Sequence, residues 1–416
     1  MAIVINGSGT VTGLAVGGLP DGTVDSGTIA TGTIVDADVA NVAASKLTGA
    51  LPAISGASLT NLPSKGKNLI INGAMRVAQR GTSSTSDGRQ TVDRFHVSNG
   101  SNDELPTQAQ HALTSSDTEV WAEGFRHSYH MTNGNQTSGA QGGSRVCFQY
   151  YMEAQDIATS GWDYTSSSSY ITLSFWCKSS VAQNFYGRLR AHDGTGQGYA
   201  FETGSLSANA WTKITKTIPG NSNLTFDNDS GTGLEIEIVM FRGTTKTGTR
   251  PLNAWAAFDG DTRVPDMDST WYTTNDATWE ITGVQLELGS TATDFEHRSY
   301  GEELALCQRY YFRKGEVART CYGIGAAHTN TGLYVCVLFP VTMRASPTMY
   351  QHSDSTKCYI TGSGQNQTAQ SNAFGVEGAN PNGITVSITG SGLTGGNAYW
   401  FNTTNSTHWL AWDAEL

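Results

Sequence analysis

Apolar and polar residues alternate with a period of two at several places between residues 68 and 298. Tyr170 to Cys177 sets Ile171, Leu173, Phe175 and Cys177 on one face. Leu234 to Met240 does the same with Leu234, Ile236, Ile238 and Met240. Trp279 to Leu288 predicts another strand, with a bulge at Gly283. Asn68 to Gly73 reads as a first strand ending in a turn. Short strands joined by polar, glycine-containing turns predict a β-sandwich or barrel, so the chain is all-β in class.

The pattern changes at Gly301 to Tyr311. Leu304, Cys307, Gln308 and Tyr311 fall on one helical stripe, which predicts a short helix opening a last domain. Leu333 to Phe339 is again strand-like and stops at Pro340. The end of the chain predicts a hairpin: Tyr399 to Phe401, a turn through Asn402 to Thr407, then His408 to Leu416. In its second strand His408, Leu410, Trp412 and Ala414 share a face, and Trp409, Ala411 and Asp413 share the other.

The stretch before residue 68 follows neither pattern. No Trp, Tyr or Phe occurs before Phe95, and Met1 to Lys67 contains no Arg, His or Cys. Short β-branched pieces such as Gly27-Thr28-Ile29 and Gly32-Thr33-Ile34 alternate with glycine turns, and Asp36 to Lys46 has the spacing of a short helix. Ordering such a segment costs roughly 1.5 kcal/mol per residue, on the order of 100 kcal/mol in all. Small side chains do not recover that within one chain. The alternative is a bare linker, which would carry more Gly and Ser and fewer Val, Ile and Leu; the segment reads instead as an intertwined oligomeric shaft, in which sister chains supply the missing core. The division expected is therefore a shaft over 1–67, a sandwich over 68–298 and a distal β-domain over 299–416.

Charge narrows the partners. The 416 residues carry 25 Lys and Arg against 36 Asp and Glu, a formal net charge of −11 that argues against nucleic acid. It also argues against docking on anionic lipid. No apolar run suggests membrane insertion or a signal peptide, which predicts synthesis in a cytoplasm. The six cysteines form no CxxC and read as buried free thiols.

Candidate chemistry is sparse. Trp409 on the last strand, with Trp400 opposite, predicts an aromatic platform for sugar C–H groups, and Asn402, Asn405 and His408 stand near enough in sequence to bond hydroxyls. The competing reading puts these aromatics in the distal core or in a seam between copies. Trp162, Tyr164, Trp255, Trp271 and Tyr272 read as core. Asp259, Asp261, Asp266 and Asp268, and separately Asp227 and Asp229, crowd loops that suit solvated turns better than calcium. His127 and His130 are spaced like two ligands on a helix, but the surroundings are not helical and no third ligand stands nearby. No metal or cofactor is assigned. No nucleophile elbow, phosphate loop or HExxH is present, which makes a catalytic role unexpected.

Several stretches resemble bacteriophage tail fibre proteins. Asn68 to Gly81 (NLIINGAMRVAQRG) with Thr91-Val92-Asp93-Arg94-Phe95 is similar to the start of a fibre sandwich domain. Gly283 to Tyr311 (GVQLELGSTATDFEHRSYGEELALCQRYY) is similar to that domain's last strand and its join to a distal one. Phe339 to Pro347 (FPVTMRASP) and Asp413-Ala414-Glu415-Leu416 are similar to the distal domain, and Ile54 to Pro63 to shaft segments. The pairing of first and last strands also resembles carbohydrate-binding jelly rolls, which implies that those strands are neighbours. The resemblance implies a virion-borne homotrimer held to a phage tail or baseplate protein by its N-terminus. It implies non-catalytic attachment to a host-surface glycan or outer-membrane protein. Trp400, Asn402, Asn405, His408 and Trp409 are the expected receptor contact. The alternatives are a polysaccharide-degrading tailspike and a structural fibre or adaptor without receptor contact.

Overall fold

The computed structural model describes residues 66–351, 358–362, 365–368, 374–390, 392–403 and 407–416, with Val4–Ile5 and Val11–Thr12. Those two short strands pair antiparallel. The rest of the expected shaft, including the helix expected from Asp36 to Lys46, lies outside the described residues.

Two six-stranded antiparallel sheets account for most of the chain from Ser83 to Leu288. The first runs Trp255–Ala257, Gln197–Ser205, Asn184–Ala191, Thr232–Arg242, Arg145–Glu153, Phe95–Gly100. The second runs Thr212–Pro219, Tyr170–Ser179, Thr278–Leu288, His127–Thr132, Thr107–Ala112, Ser83–Ser84. Their facing side chains form one core: Phe95, Phe148 and Tyr150 from the first meet Tyr129, Leu173, Phe175, Trp279 and Ile281 from the second. This is a β-sandwich. Trp271 and Tyr272 are fully buried in it and Trp162 nearly so, while Tyr164 and Trp255 pack against its margin, as core aromatics rather than platforms.

The alternating stretches form the strands they predict. Tyr170–Ser179 and Thr232–Arg242 bury the expected faces. Gly283 is a bulge: the register between Thr278–Leu288 and Tyr170–Ser179 shifts from Thr282 to Gln285. Its φ is +64°, and an added Cβ would lie 2.6 Å from the Phe125 ring. Glycine is required there both by backbone sign and by space.

The stretch Asn68 to Gly73 differs from its expectation. It forms no strand: it bends at Ile70 and turns from Ile71 onward, with Asn72 and, just beyond the stretch, Met75 at positive φ. Asn68 explains this. Its side-chain oxygen accepts from its near neighbour Ile70 N (2.9 Å) and also from Leu286 N (3.0 Å), so the strand-like residues are spent on a side-chain-directed turn. The implied adjacency survives: Leu69 N donates to Leu286 O and Val284 N donates to Gly73 O, both at 2.9 Å.

Tyr300–Gln308 is the expected helix. Ser299 accepts from Glu302 N, and the Glu302 carboxylate accepts from Ser299 N, a reciprocal cap that fixes the start. After it come a three-stranded sheet (Tyr311–Gly315, Trp409–Asp413, Thr348–Gln351) and a seven-stranded one. The latter runs Gln365–Thr368, Cys358–Gly362, Ala398–Thr403, Cys321–Ala327, Gly332–Leu338, Gly383–Thr389, Phe374–Asn380. Tyr322, Val335, Ile384 and Phe401 of the larger sheet share a second core with Leu410 and Trp412 of the smaller. The terminal hairpin does not form. Ala398–Thr403 and Trp409–Asp413 lie in different sheets, because both edges of Trp409–Asp413 are taken, one by Tyr311–Gly315 and the other by Thr348–Gln351.

All six cysteines are free; Cys147, Cys177, Cys307 and Cys358 are buried, Cys321 is half-buried and Cys336 is exposed. Among the described residues no helix is long and apolar enough to cross a membrane.

Candidate functional site

Arg80 and Arg94 near the start of the sandwich, Arg309 and Tyr310 at the end of the helix, and the terminal Asp413 to Glu415 meet in space. Glu415 lies under three guanidinium groups: it pairs with buried Arg94, with Arg80 (3.5 Å) and with Arg89 (3.4 Å). Burial alone would raise its carboxyl pKa; Arg94, Arg89 and Arg80 outweigh that and hold it below the ordinary range. Arg94 also lies 3.3 Å from the centre of the Tyr310 ring. Arg309 and Tyr310 bond the Glu153 carboxylate at 2.8, 2.7 and 2.6 Å. Arg344 donates to Ala414 O, Glu415 O and Ser230 O. The sequence-distinct residues therefore tie the strands after the helix to the sandwich. Their chemistry is that of a buried ionic joint.

An open cleft of about 670 Å³ lies beside this joint. Trp409, Tyr350, Tyr311, Thr348, Arg313 and Arg89 line it, with Gln90 and His96 on the sandwich side. Tyr350 is exposed, and the Arg313 guanidinium sits 4.4 Å from the Trp409 ring centre. Arg313 is fixed by donating to Gln79 O and Arg80 O, which holds the stacked pair in place. Three guanidinium groups (Arg80, Arg89, Arg313) line it with two carboxylates (Asp413, Glu415), and Arg80 also pairs with Asp93 and Arg313 with Glu316, so the charges are matched within the chain. Rigid aromatic surface beside fixed N–H donors and a threonine hydroxyl suits a neutral sugar. A second cleft, of about 730 Å³, runs beside the helix past Phe295, His297, Ala305, Leu306 and Val341; its apolar walls offer hydroxyls less.

The five expected contact residues are distributed differently. Trp409 is half-buried in the cleft. Trp400 is 57% exposed but lies on the other sheet, where its cross-strand neighbours are Ile324 and Thr361. Asn402 is buried and its amide faces Thr361 Oγ1 at 3.4 Å. His408 is fully buried and bonds the Tyr322 hydroxyl at 2.7 Å. Asn405 lies outside the described residues. Arg313, Arg89, His96 and Tyr350 were not singled out from sequence, because they come from four separate stretches that only the fold brings together.

Trp400 belongs to an open face. The outward side chains of the seven-stranded sheet include Ile324, Tyr334, Cys336, Leu338 and Val376, all exposed. Ile324 sits directly between Trp400 and Cys336 across the strands, which makes one apolar row. Contiguous exposed apolar surface of this kind marks contact with another body.

The turn aspartates stay local. Asp259 accepts from Asp261 N, Asp229 accepts from Gly231 N, and Lys246 and Thr247 hold Asp261 and Asp266. His127 and His130 share the strand His127–Thr132, where an odd spacing sends them to opposite faces.

No protein-family model matches the sequence, and no curated protein matches it. Among solved structures the chain is similar to the enzymatically active domain of bacteriophage CBA120 tailspike protein 4. The identity is 12%, over 54% of this chain and 22% of that one, with a TM-score of 0.29. It is also similar to a putative sugar binding protein from Bacteroides thetaiotaomicron, at 10% identity over 53% and 100% of the two chains, TM-score 0.28. A family 11 carbohydrate-binding module from Clostridium thermocellum gives 10% over 52% and 98%, TM-score 0.22. The matched part is thus about a fifth of the tailspike domain. Likenesses this distant carry no argument about ligands, and the sandwich stands on its own strand pairing.

Proposed function

We propose that the chain is a bacteriophage tail fibre protein that attaches a virion to a host-surface glycan without catalysis. In this reading residues 1–67 form a trimeric shaft that joins a phage tail or baseplate protein. Residues 68–298 form a jelly-roll-like sandwich and 299–416 a distal β-sandwich domain. The open apolar face around Trp400 packs between sister chains, and the cleft at Trp409 takes the sugar. Three linked copies raise a weak single-site contact by on the order of 10² to 10⁴.

The observation that carries the binding reading is the cleft itself, where Trp409 and Tyr350 stand beside fixed guanidinium donors and Thr348. The test is adsorption. Full-length protein should bind host-surface polysaccharide and block infection when added in excess. Trp409→Ala with Tyr350→Ala should weaken that binding about tenfold, or ~1.4 kcal/mol, while leaving the assembly intact. Binding unchanged by both substitutions would remove the cleft from the mechanism. Shortened oligosaccharides after incubation would replace attachment by a tailspike activity.

A further inference from the structure

We propose that His111, His130 and Glu280 form a three-ligand site for a divalent transition metal of the zinc type, on the outer face of the sandwich's second sheet. A fourth position is left to water or to a donor from another molecule. The site is separate from the Trp409 cleft and does not depend on the attachment reading.

Strand register builds it. Glu280 stands directly opposite His130. His111 stands opposite Ser128, one diagonal step from His130. Tyr129 and Met131, the neighbours of His130 in sequence, point into the core, so His130 points outward. One nitrogen or oxygen from each of the three side chains lies within 4.8 Å of the others. His111 Nδ1 is 3.2 Å and His130 Nδ1 3.5 Å from the two Glu280 oxygens. A tetrahedral ion with bonds of about 2.0–2.1 Å holds its ligands roughly 3.3 Å apart. Each histidine nitrogen therefore already lies near that distance from the carboxylate, but from a different oxygen, so Glu280 must bind through both oxygens or rotate to share one. The histidine pair must also close, and His111 is half exposed and able to turn.

Two further observations favour a ligand. His130 Nδ1 is shielded from solvent and has no close hydrogen-bond partner; its nearest acceptor is the Glu280 carboxylate at 3.5 Å. The carboxylate is itself oriented: Ser128 Oγ donates to Glu280 Oε2 at 2.6 Å, the outer support that metal ligands need. Two imidazoles and one carboxylate select zinc, nickel or copper over calcium.

Lys178 opposes binding. Its ammonium lies 2.9 Å from Glu280 Oε1, yet it also holds Asp117 at 3.0 Å and can keep that partner when an ion arrives. The lysine thus acts as an internal competitor that lowers affinity and makes uptake reversible.

The experiment is calorimetric titration of chelator-stripped full-length protein with zinc chloride. One ion per chain is expected. His111→Ala, at a half-exposed position where folding is safe, should weaken uptake at least about tenfold. His130→Ala should do the same, His127→Ala should change nothing, and Lys178→Met should tighten binding. Cobalt in place of zinc should give the visible bands of a four-coordinate site. Absence of stoichiometric uptake by the natural chain overturns the proposal, and uptake by Lys178→Met alone does so as well. Uptake that persists undiminished in both histidine variants assigns the ion elsewhere and equally overturns it.

Discussion

Two strands of similar pattern have opposite outer faces. Thr232–Arg242 in the sandwich and Gly332–Leu338 in the seven-stranded sheet both bury one alternating set. On the first, the outward residues Glu235 and Glu237 are charged yet buried. On the second, the outward residues Tyr334, Cys336 and Leu338 are exposed, Leu338 to 75%, and no charge stands among them. The first face is closed by its own chain. Arg188 reaches Glu235 at 2.7 Å and Glu237 at 2.5 Å, Arg242 reaches Glu237 at 2.6 Å, and Val264 packs over Val239 and Cys147. The apolar face is left open by everything described. A charged face that finds its partners internally needs no other molecule, whereas an apolar face without cover gains about 25 cal/mol per Å² when one arrives.

This contrast can be broken at either face. The largest effect belongs to the closed one. Glu237→Gln leaves Arg188 and Arg242 short of a buried partner and should cost about 3–5 kcal/mol in urea unfolding. Glu415→Gln should cost a similar amount by stranding Arg94, with the loss felt at the joint to the later sheets.

Acid acts on the same carboxylates. Burial would raise the Glu237 carboxyl; Arg188 and Arg242 reverse that and bring it from 4.5 down to about 2. Folding therefore favours the ionised form. Its stabilising contribution is full above the unfolded value and disappears as pH falls toward 2. Glu235, Glu153 and Glu415 shift in the same direction. The melting temperature should fall steadily from pH 5 to pH 2. Asp93 has the opposite sign: burial, partly offset by Arg80 and Gln79, raises it to about 6. Its contribution is present below 3.8 and is lost as pH rises through 6. Asp93→Asn should remove this part of the melting temperature's pH dependence between about pH 4 and 6.

Gly283→Ala comes next, at about 1–3 kcal/mol, since it combines a left-handed backbone with the Phe125 ring. The smallest effect on the stability of a single chain belongs to the open face. Leu338→Ser and Trp400→Ser should change it by no more than about 0.5 kcal/mol. Assembly should weaken strongly in the same variants. That dissociation of folding from assembly is what separates the two faces.

Much of the fold was legible because period-two alternation is a local signal. Ile171 to Cys177, Leu234 to Met240 and the Gly283 bulge could be read from neighbours in sequence. The helix at Tyr300–Gln308 was legible for the same reason, from the stripe that includes buried Cys307. Asn68 to Gly73 misled because one asparagine side chain redirects its backbone, and the terminal hairpin misled because partners lay about a hundred and about sixty residues upstream. The candidate sites were far less legible. His130 was visible beside His127, but His111 and Glu280 reach it from strands 19 and 150 residues away by number. Trp400 and Trp409 look adjacent in sequence and serve different sheets. Chemistry assembled across strands leaves no local spacing to find.

Sedimentation velocity of the full-length chain at micromolar concentration tests the central claim most directly. The proposed fibre reading expects a stable trimer, and Leu338→Ser with Trp400→Ser, on the open sheet face, should lower its resistance to heat and dilution. A folded single copy that sediments as a monomer, with Trp400 in water, would contradict the account.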